Sequence, residues 1–246
     1  MRNCRTGQDA FVDEAETEVI RSYTKFSITY ERTRLTSYMQ LIEEIEQGII
    51  AEQISEFNPC RALEIGCGTG RFSEFLVRLG CEVYALDITP AMIEQARILR
   101  CGQGAITWIN ASGESLPFTE STFDLVIALK VFPHILDLAS ALADVRRVLQ
   151  PRGRAILEFY NPISLGRLTR HYSFFTRWLS PNQVKDWIEQ SDLEIVDYRG
   201  ARIIIPFGRL MAVPVISNFL YKFEKRLSKS RFCRFASYYI VIVELK

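Results

Sequence analysis

LEIGCGTGRF, Leu63–Phe72, sets three glycines at alternate positions directly behind a short apolar run, with one carboxylate, Glu64, inside that run. The pattern predicts a strand, a tight turn and a helix, in that order. Glycines at such a turn let the backbone approach a ligand closely, and the helix that follows offers free N–H groups to negative charge. A dinucleotide fingerprint, G-x-G-x-x-G, would place its third glycine at the position of Arg71, where glycine allows close helix–strand packing around a pyrophosphate. Arg71 obstructs that packing. A carboxylate in a buried strand is also unfavourable unless something pairs with it, and a ligand's ammonium group would do so where a pyrophosphate would be repelled.

The next strand ends in Asp87, where an acidic side chain can accept hydrogen bonds from both hydroxyls of a ribose. A ligand with an ammonium at one end, a ribose at the other and no phosphate between fits S-adenosylmethionine.

From residue 61 onward, β-rich runs alternate with helical patterns, which argues for a parallel sheet with helices on its faces. Strands are expected at Arg61–Ile65, Glu82–Asp87, Ala105–Asn110, Asp124–Leu129, Arg154–Tyr160 and Leu193–Tyr198. Helices are expected at Tyr38–Ile54, Arg71–Leu79, Pro90–Leu99, Leu138–Leu149 and Ser180–Gln190. Thr89 reads as a helix N-cap, and Pro151 with Gly153 as the turn into the fifth strand. The final run, SYYIVIVELK, alternates only weakly, as a strand buried on both faces does.

The chain resembles the class I S-adenosylmethionine-dependent methyltransferases, and among them the quinone-biosynthesis group. Four motifs in order carry the likeness: LEIGCGTGRF, then ALDITPAMIEQAR (Ala85–Arg97), GESLPFTESTFDLVIALKVFPHI (Gly113–Ile135) and ALADVRRVLQPRGRAILEFYNP (Ala141–Pro162). The resemblance implies an α/β, Rossmann-like seven-stranded sheet, mostly parallel with an antiparallel C-terminal strand and helices on both faces. It implies that Glu64, Gly66, Cys67, Gly68 and Gly70 line the methionine moiety, that Asp87 holds the ribose, and that Ile88 and Met92 face the adenine. Ser112, Gly113 and Glu114 stand where the family usually has an acidic residue, an alanine and a glutamate; Ser112 departs from that pattern because a hydroxyl carries no charge. Leu129 and Lys130 would close the pocket, and Tyr23 would come from a tyrosine-rich N-terminal segment folded over the cofactor. The N-terminal helical segment is taken as residues 1–55 and the methyltransferase domain as 56–246, with an acceptor-site insert at 161–190 and an apolar then basic segment at 203–234.

Methyl transfer from a sulfonium is a direct displacement, so a dedicated base is optional. His134, after the fourth strand, and Tyr30 are the candidate catalytic groups. Tyr160, Asn161, His171 and Tyr172 follow the fifth strand and are further candidates. Aromatics of the insert, among them Phe174, Phe175 and Trp178, predict an apolar or aromatic small-molecule acceptor methylated on O, N or C. Two other functions keep the same pocket: a non-catalytic scaffold or sensor that binds this cofactor, and a nicotinamide oxidoreductase, which Arg71 and Glu64 oppose.

Thirty basic and 29 acidic side chains leave a net charge of +1, which gives the whole chain no attraction to nucleic acid. Six scattered cysteines and two histidines suggest neither a metal site nor a disulfide framework, and acids in the first thirty residues argue against an export signal; a cytoplasmic protein, monomer or homodimer, is expected. Pro206, Gly208, Arg209 and Pro214 interrupt the apolar Ile203–Tyr221 stretch. KFEKRLSKSRFCR, Lys222–Arg234, holds six basic residues against Glu224 alone and reads either as a solvated face or as a peripheral contact with an anionic membrane.

Overall fold

Seven strand-forming runs assemble into one sheet in the computed structural model of the chain, which describes residues 7–34, 36–55, 57, 60–102, 106–164, 167, 173–203 and 222–246. The strands are β1 (Arg61–Ile65), β2 (Glu82–Asp87), β3 (Ile106–Asn110), β4 (Phe123–Ala128), β5 (Leu149–Tyr160), β6 (Leu193–Ala201) and β7 (Tyr238–Leu245), in the spatial order β3-β2-β1-β4-β5-β7-β6. The first five are parallel, and β7 enters antiparallel between β5 and β6. Strand order reverses between β1 and β4, so the connections behind them leave toward opposite faces and open a crevice at their carboxyl ends. Position 105 lies outside the described residues.

Helices α3 (Ser37–Ile54), α4 (Arg71–Arg78) and α5 (Pro90–Leu99) cover one face, where Ile42, Ile45, Ile49, Ile50, Leu76 and Ile93 pack on Ala62, Val83, Leu125 and Ile127. Helices α6 (Leu138–Val148) and α7 (Pro181–Gln190) cover the other, with Leu142, Val145, Val184 and Ile188 against Leu63, Val126 and Leu157. Alternate residues of each strand therefore feed the two cores, which is why β1, β4 and β7 read as mostly apolar rather than alternating. Ile50, fully buried, marks how tightly α3 is held; truncating such a residue to Ala costs about 2–5 kcal/mol.

Several boundaries differ from the sequence expectation. Strand β5 begins at Leu149, so Pro151 and Gly153 lie within extended chain rather than in a turn before it. A register shift against β4 between Phe123 and Leu125 accommodates the proline, which has no N–H for the ladder, and an added Cβ at Gly153 would sit 2.8 Å from the Phe123 carbonyl. Thr89 occupies the cap position of α5, but its side chain does not cap the helix. Ser180 does cap α7, in a reciprocal pair with Gln183.

Within the N-terminal segment expected to be helical, two elements precede α3, α1 (Gly7–Phe26) and α2 (Tyr30–Arg34), whose bounds the sequence did not mark. Among the described side chains of α1, from Glu14 onward, Ala15 and Val19 are the buried apolar ones. Among the described residues no helix is long and apolar enough to cross a membrane; of the Ile203–Tyr221 stretch, 204–221 lie outside the described residues.

Candidate active site

The crevice at the carboxyl ends of β1, β2 and β4 is roofed by α1 and α2, and encloses about 1130 Å³ of empty space including its mouth. Its floor is the turn after β1. Gly66 and Gly70 have φ of +70° and +76°, and an added Cβ would meet Val131 Cγ2 at 2.1 Å and the Trp108 ring at 2.3 Å. Both positions therefore require glycine for packing as well as for backbone conformation. At Gly68, also left-handed, an added Cβ would find nothing nearer than Tyr30 Cε1 at 4.0 Å. Here the bare backbone faces open cleft.

Asp87, 8% exposed at the end of β2, accepts the Gly68 N–H on Oδ2 and the Thr89 N–H on Oδ1, both at 2.8 Å. Burial raises its carboxyl above the usual range, and the two backbone donors pull it back. Asn110 fixes the same strand end by donating to the Asp87 and Ile88 carbonyls at 2.8 and 3.0 Å.

Glu64, 3% exposed in the middle of β1, accepts a hydrogen bond on Oε2 from the Ser73 hydroxyl of α4. Burial pushes its carboxyl up to about 8; the Ser73 bond opposes this, the neighbouring Asp87 charge adds to it and Lys130 opposes it. A cation placed beside Glu64 would offset the burial and restore the ionised form.

The cleft gathers Tyr23, Tyr30, Glu64, Gly66, Cys67, Gly68, Asp87, Ile88, Met92, Ser112, Gly113, Glu114, Leu129, Lys130 and His134, all anticipated from the sequence. Gly70 is the exception: it lies outside the lining, under Trp108, where it starts α4. Ser112 turns back to accept the Glu114 N–H at 3.2 Å, and Glu114 accepts the Leu136 N–H at 2.7 Å, tying the loop after β3 to the one after β4. The Cys67 thiol, raised by burial and by the Asp87 and Glu64 charges, is no thiolate nucleophile.

At the other end the lining carries Tyr23, Tyr30 and His134, backed by Phe174 and Tyr160; none of the described residues of the 161–190 insert lines the cleft, contrary to the expectation that this insert builds the acceptor site. Tyr23, Phe174 and Tyr160 have ring centroids 6.3, 5.0 and 5.9 Å from that of His134, and Tyr30 lies 6.5 Å from Tyr23. His134 closes a 3-10 turn, Phe132–His134, and its Nδ1 lies 3.1 Å from the Phe175 carbonyl. A carbonyl only accepts, so that bond assigns the proton to Nδ1 and the lone pair to Nε2. Burial holds the imidazole down to about 4, and the Phe175 bond only partly opposes it.

The roof is latched by charge. Glu31 of α2 accepts from the Thr69 hydroxyl at 2.5 Å and pairs with Arg100 at 2.8 Å, while Arg100 also reaches Glu74 at 2.9 Å. Arg71 turns its guanidinium to Glu43 of α3, and Lys130, at φ +65°, pairs at 2.6 Å with the fully buried Glu46. Arg34 donates to the Tyr30 hydroxyl at 2.6 Å. Glu31, Arg34, Glu46, Ser73 and Arg100 were not anticipated, because each meets its partner only through the tertiary fold.

One further candidate lies elsewhere. Asn161 is fully buried and donates to the Arg234 and Ala236 carbonyls at 2.9 and 2.7 Å, a bracing role for the chain before β7. His171 and Tyr172 lie outside the described residues. Among the described residues no cluster of three or more His, Cys, Asp or Glu could hold a metal ion.

Residues 63–157 match the family described as the methyltransferase domain. Over 198 residues, 78% of this chain, the sequence is 26% identical to a biotin biosynthesis bifunctional protein of Cellvibrio japonicus. Over 158 residues, 58% of this chain, it is 32% identical to a ubiquinone biosynthesis O-methyltransferase of Cereibacter sphaeroides. The matched part spans 38% of the first relative and 64% of the second, less than two thirds of either. A solved S-adenosylmethionine-dependent methyltransferase from Thermotoga maritima superposes with a TM-score of 0.64 at 18% identity, covering 91% of this chain and 98% of that one, and shares the fold.

Proposed function

We propose that residues 63–157 serve as the methyltransferase domain of an enzyme that transfers a methyl group from S-adenosylmethionine to an aromatic, quinone-type small molecule. One observation carries the reading: a single cleft joins two buried carboxylates on either side of a bare backbone turn to an aromatic wall. The residues present fit this cofactor. Glu64, with its raised carboxyl, suits an ammonium; the open space over Gly68 admits close approach; Asp87 keeps a lone pair on each oxygen for ribose hydroxyls beyond its two backbone bonds. Ile88 and Met92 would flank the adenine.

The cofactor supplies a methyl group on positively charged sulfur. What the chain contributes is position: holding the acceptor in line against Tyr23, Tyr30 and His134 and keeping water out. His134 carries its ring lone pair on the buried Nε2, and an imidazole held to about 4 takes a proton from an ordinary phenol, near 10, only at a penalty of roughly 8 kcal/mol. The acceptor therefore brings an acidic hydroxyl, as hydroxyquinones do, or arrives ionised. The ubiquinone relative's name supports oxygen as the methylated atom.

The test is calorimetry with S-adenosylmethionine, followed by incubation with hydroxyquinones and mass analysis for a gain of one methylene. Binding with transfer to a hydroxyquinone is expected. Absence of heat with S-adenosylmethionine, or tight binding of a nicotinamide dinucleotide, overturns the cofactor assignment; binding without transfer to any acceptor favours a sensor.

A further inference from the structure

The segment before β7 is not used by the cleft. Helix α8 (222–228) is followed by a 3-10 turn, Arg231–Phe235. The one acid in this stretch, Glu224, is 3% exposed and turned inward, where it accepts the Ile203 N–H at 2.6 Å. What faces outward is basic and aromatic. Lys222, Lys225, Arg226 and Arg234 are exposed, and so are Phe223, Phe232 and Phe235 at 44%, 47% and 47%. Lys229 pairs with Glu52 of α3 at 3.1 Å; among the described residues no carboxylate lies within ion-pair distance of the other four cations. The Arg234 guanidinium lies over the Phe235 ring, 4.8 Å from its centroid.

From this surface we infer a docking site for an anionic phospholipid membrane. Three exposed phenyl rings on a water-facing surface are unfavourable, whereas at a bilayer interface they bury into the headgroup boundary while unpaired cations beside them meet anionic lipid. Single-stranded nucleic acid also takes basic and aromatic side chains, but it calls for an extended groove that tracks the backbone with rings presented for stacking, and here the exposed cations and rings come from one short helix and one 3-10 turn.

The surface is also joined to the residues behind the aromatic end of the cleft. Asn161 bonds the Arg234 and Ala236 carbonyls directly after Tyr160, whose ring is 5.9 Å from His134, and Ile163 in the same loop is 66% exposed. Docking would thus bring the aromatic end of the cleft to the bilayer, where an apolar acceptor is concentrated.

Co-sedimentation with vesicles tests this without any turnover. At low salt the full chain is expected to pellet with vesicles of phosphatidylglycerol mixed into phosphatidylcholine, and to stay in solution with phosphatidylcholine alone. Lys225→Ala with Arg226→Ala lowers the partition coefficient about 30-fold, and Phe223→Ser with Phe235→Ser lowers it at least 10-fold at any salt. Unchanged circular dichroism and S-adenosylmethionine heat in both variants separate loss of docking from loss of fold. Failure of the wild-type chain to pellet with the anionic vesicles, equal pelleting with neutral ones, or capture by an oligonucleotide in preference to vesicles overturns the proposal.

Discussion

The Gly68 N–H donates to Asp87 Oδ2 across 2.8 Å, so the carboxylate placed to hold a ribose also holds the turn on which the cofactor would lie. Asp87→Ala removes both functions, together with its bond to the Thr89 side chain. Cofactor affinity is expected to fall at least 10-fold, since a hydrogen bond to a charged group contributes roughly 1.5–3 kcal/mol, and the melting temperature drops as two backbone donors lose their acceptor. Asp87→Asn keeps an acceptor for one donor and recovers more of the stability than of the affinity. Calorimetry and thermal denaturation of the pair distinguish the two contributions.

Glu64 makes binding and stability depend on pH in opposite directions. Its folded-state carboxyl lies near 8, above the ordinary value near 4.5, so the folded chain binds the extra proton between those limits. Stability without ligand is therefore greatest below that window and declines as pH rises through it, by up to about 5 kcal/mol. A ligand cation prefers the ionised form, so cofactor affinity rises with pH, approaching 10-fold per unit below 8, and binding at pH 7 releases protons. Calorimetry in two buffers of different ionisation enthalpy reads the release directly. Glu64→Gln should abolish the release and flatten the stability profile.

The three glycines separate by the same reasoning. Gly66→Ala and Gly70→Ala drive a methyl into Val131 and Trp108 and should disrupt folding or lower the melting temperature by many degrees. Gly68→Ala meets no such wall and should fold with only the roughly 1 kcal/mol strain of a left-handed alanine, yet bind cofactor less tightly. Equal stability losses at all three positions would remove the argument that Gly68 is the open one.

Much of this was written in local sequence. Strand, glycine turn and helix follow from LEIGCGTGRF because every determinant lies within ten residues, and β7 reads as doubly buried because SYYIVIVELK scarcely alternates. What stayed hidden needed the third dimension. Gly70 looks like its neighbours until Trp108, from β3, is seen above it; the start of β5 depends on a bulge against β4; and the Glu31–Arg100 and Glu46–Lys130 pairs join positions 69 and 84 residues apart. No period or spacing encodes such pairs.

The Glu46–Lys130 pair gives the sharpest stability prediction. Glu46 is fully buried, and Lys130 reaches it from a left-handed backbone position beside the cleft. Lys130→Met strands the carboxylate and should cost about 3–5 kcal/mol, whereas adding Glu46→Met to it should recover most of that loss, because an apolar pair of similar volume replaces a buried ion pair at little net cost. Chemical denaturation of the single and double variants measures the coupling. Parallel losses that simply add would mean that the two groups act independently.

His134 decides how the acceptor loses its proton. Held to about 4 by burial, it is neutral across the physiological range, and because its folded value lies below the ordinary 6.5 the protein should lose stability as pH falls from about 6.5 toward 4, where the unfolded chain takes up the proton first. The maximal rate should then show no inflection from His134 between pH 5.5 and 8, and should follow instead the ionisation of the acceptor's own hydroxyl. His134→Phe keeps a ring against Tyr23 and Phe174 but has no Nε2 lone pair. With a strongly acidic hydroxyquinone it should retain activity within about 10-fold, and with a weakly acidic phenol it should lose about 100-fold or more, the range that general bases contribute. If both acceptors suffer equally, His134 shapes the pocket and takes no proton.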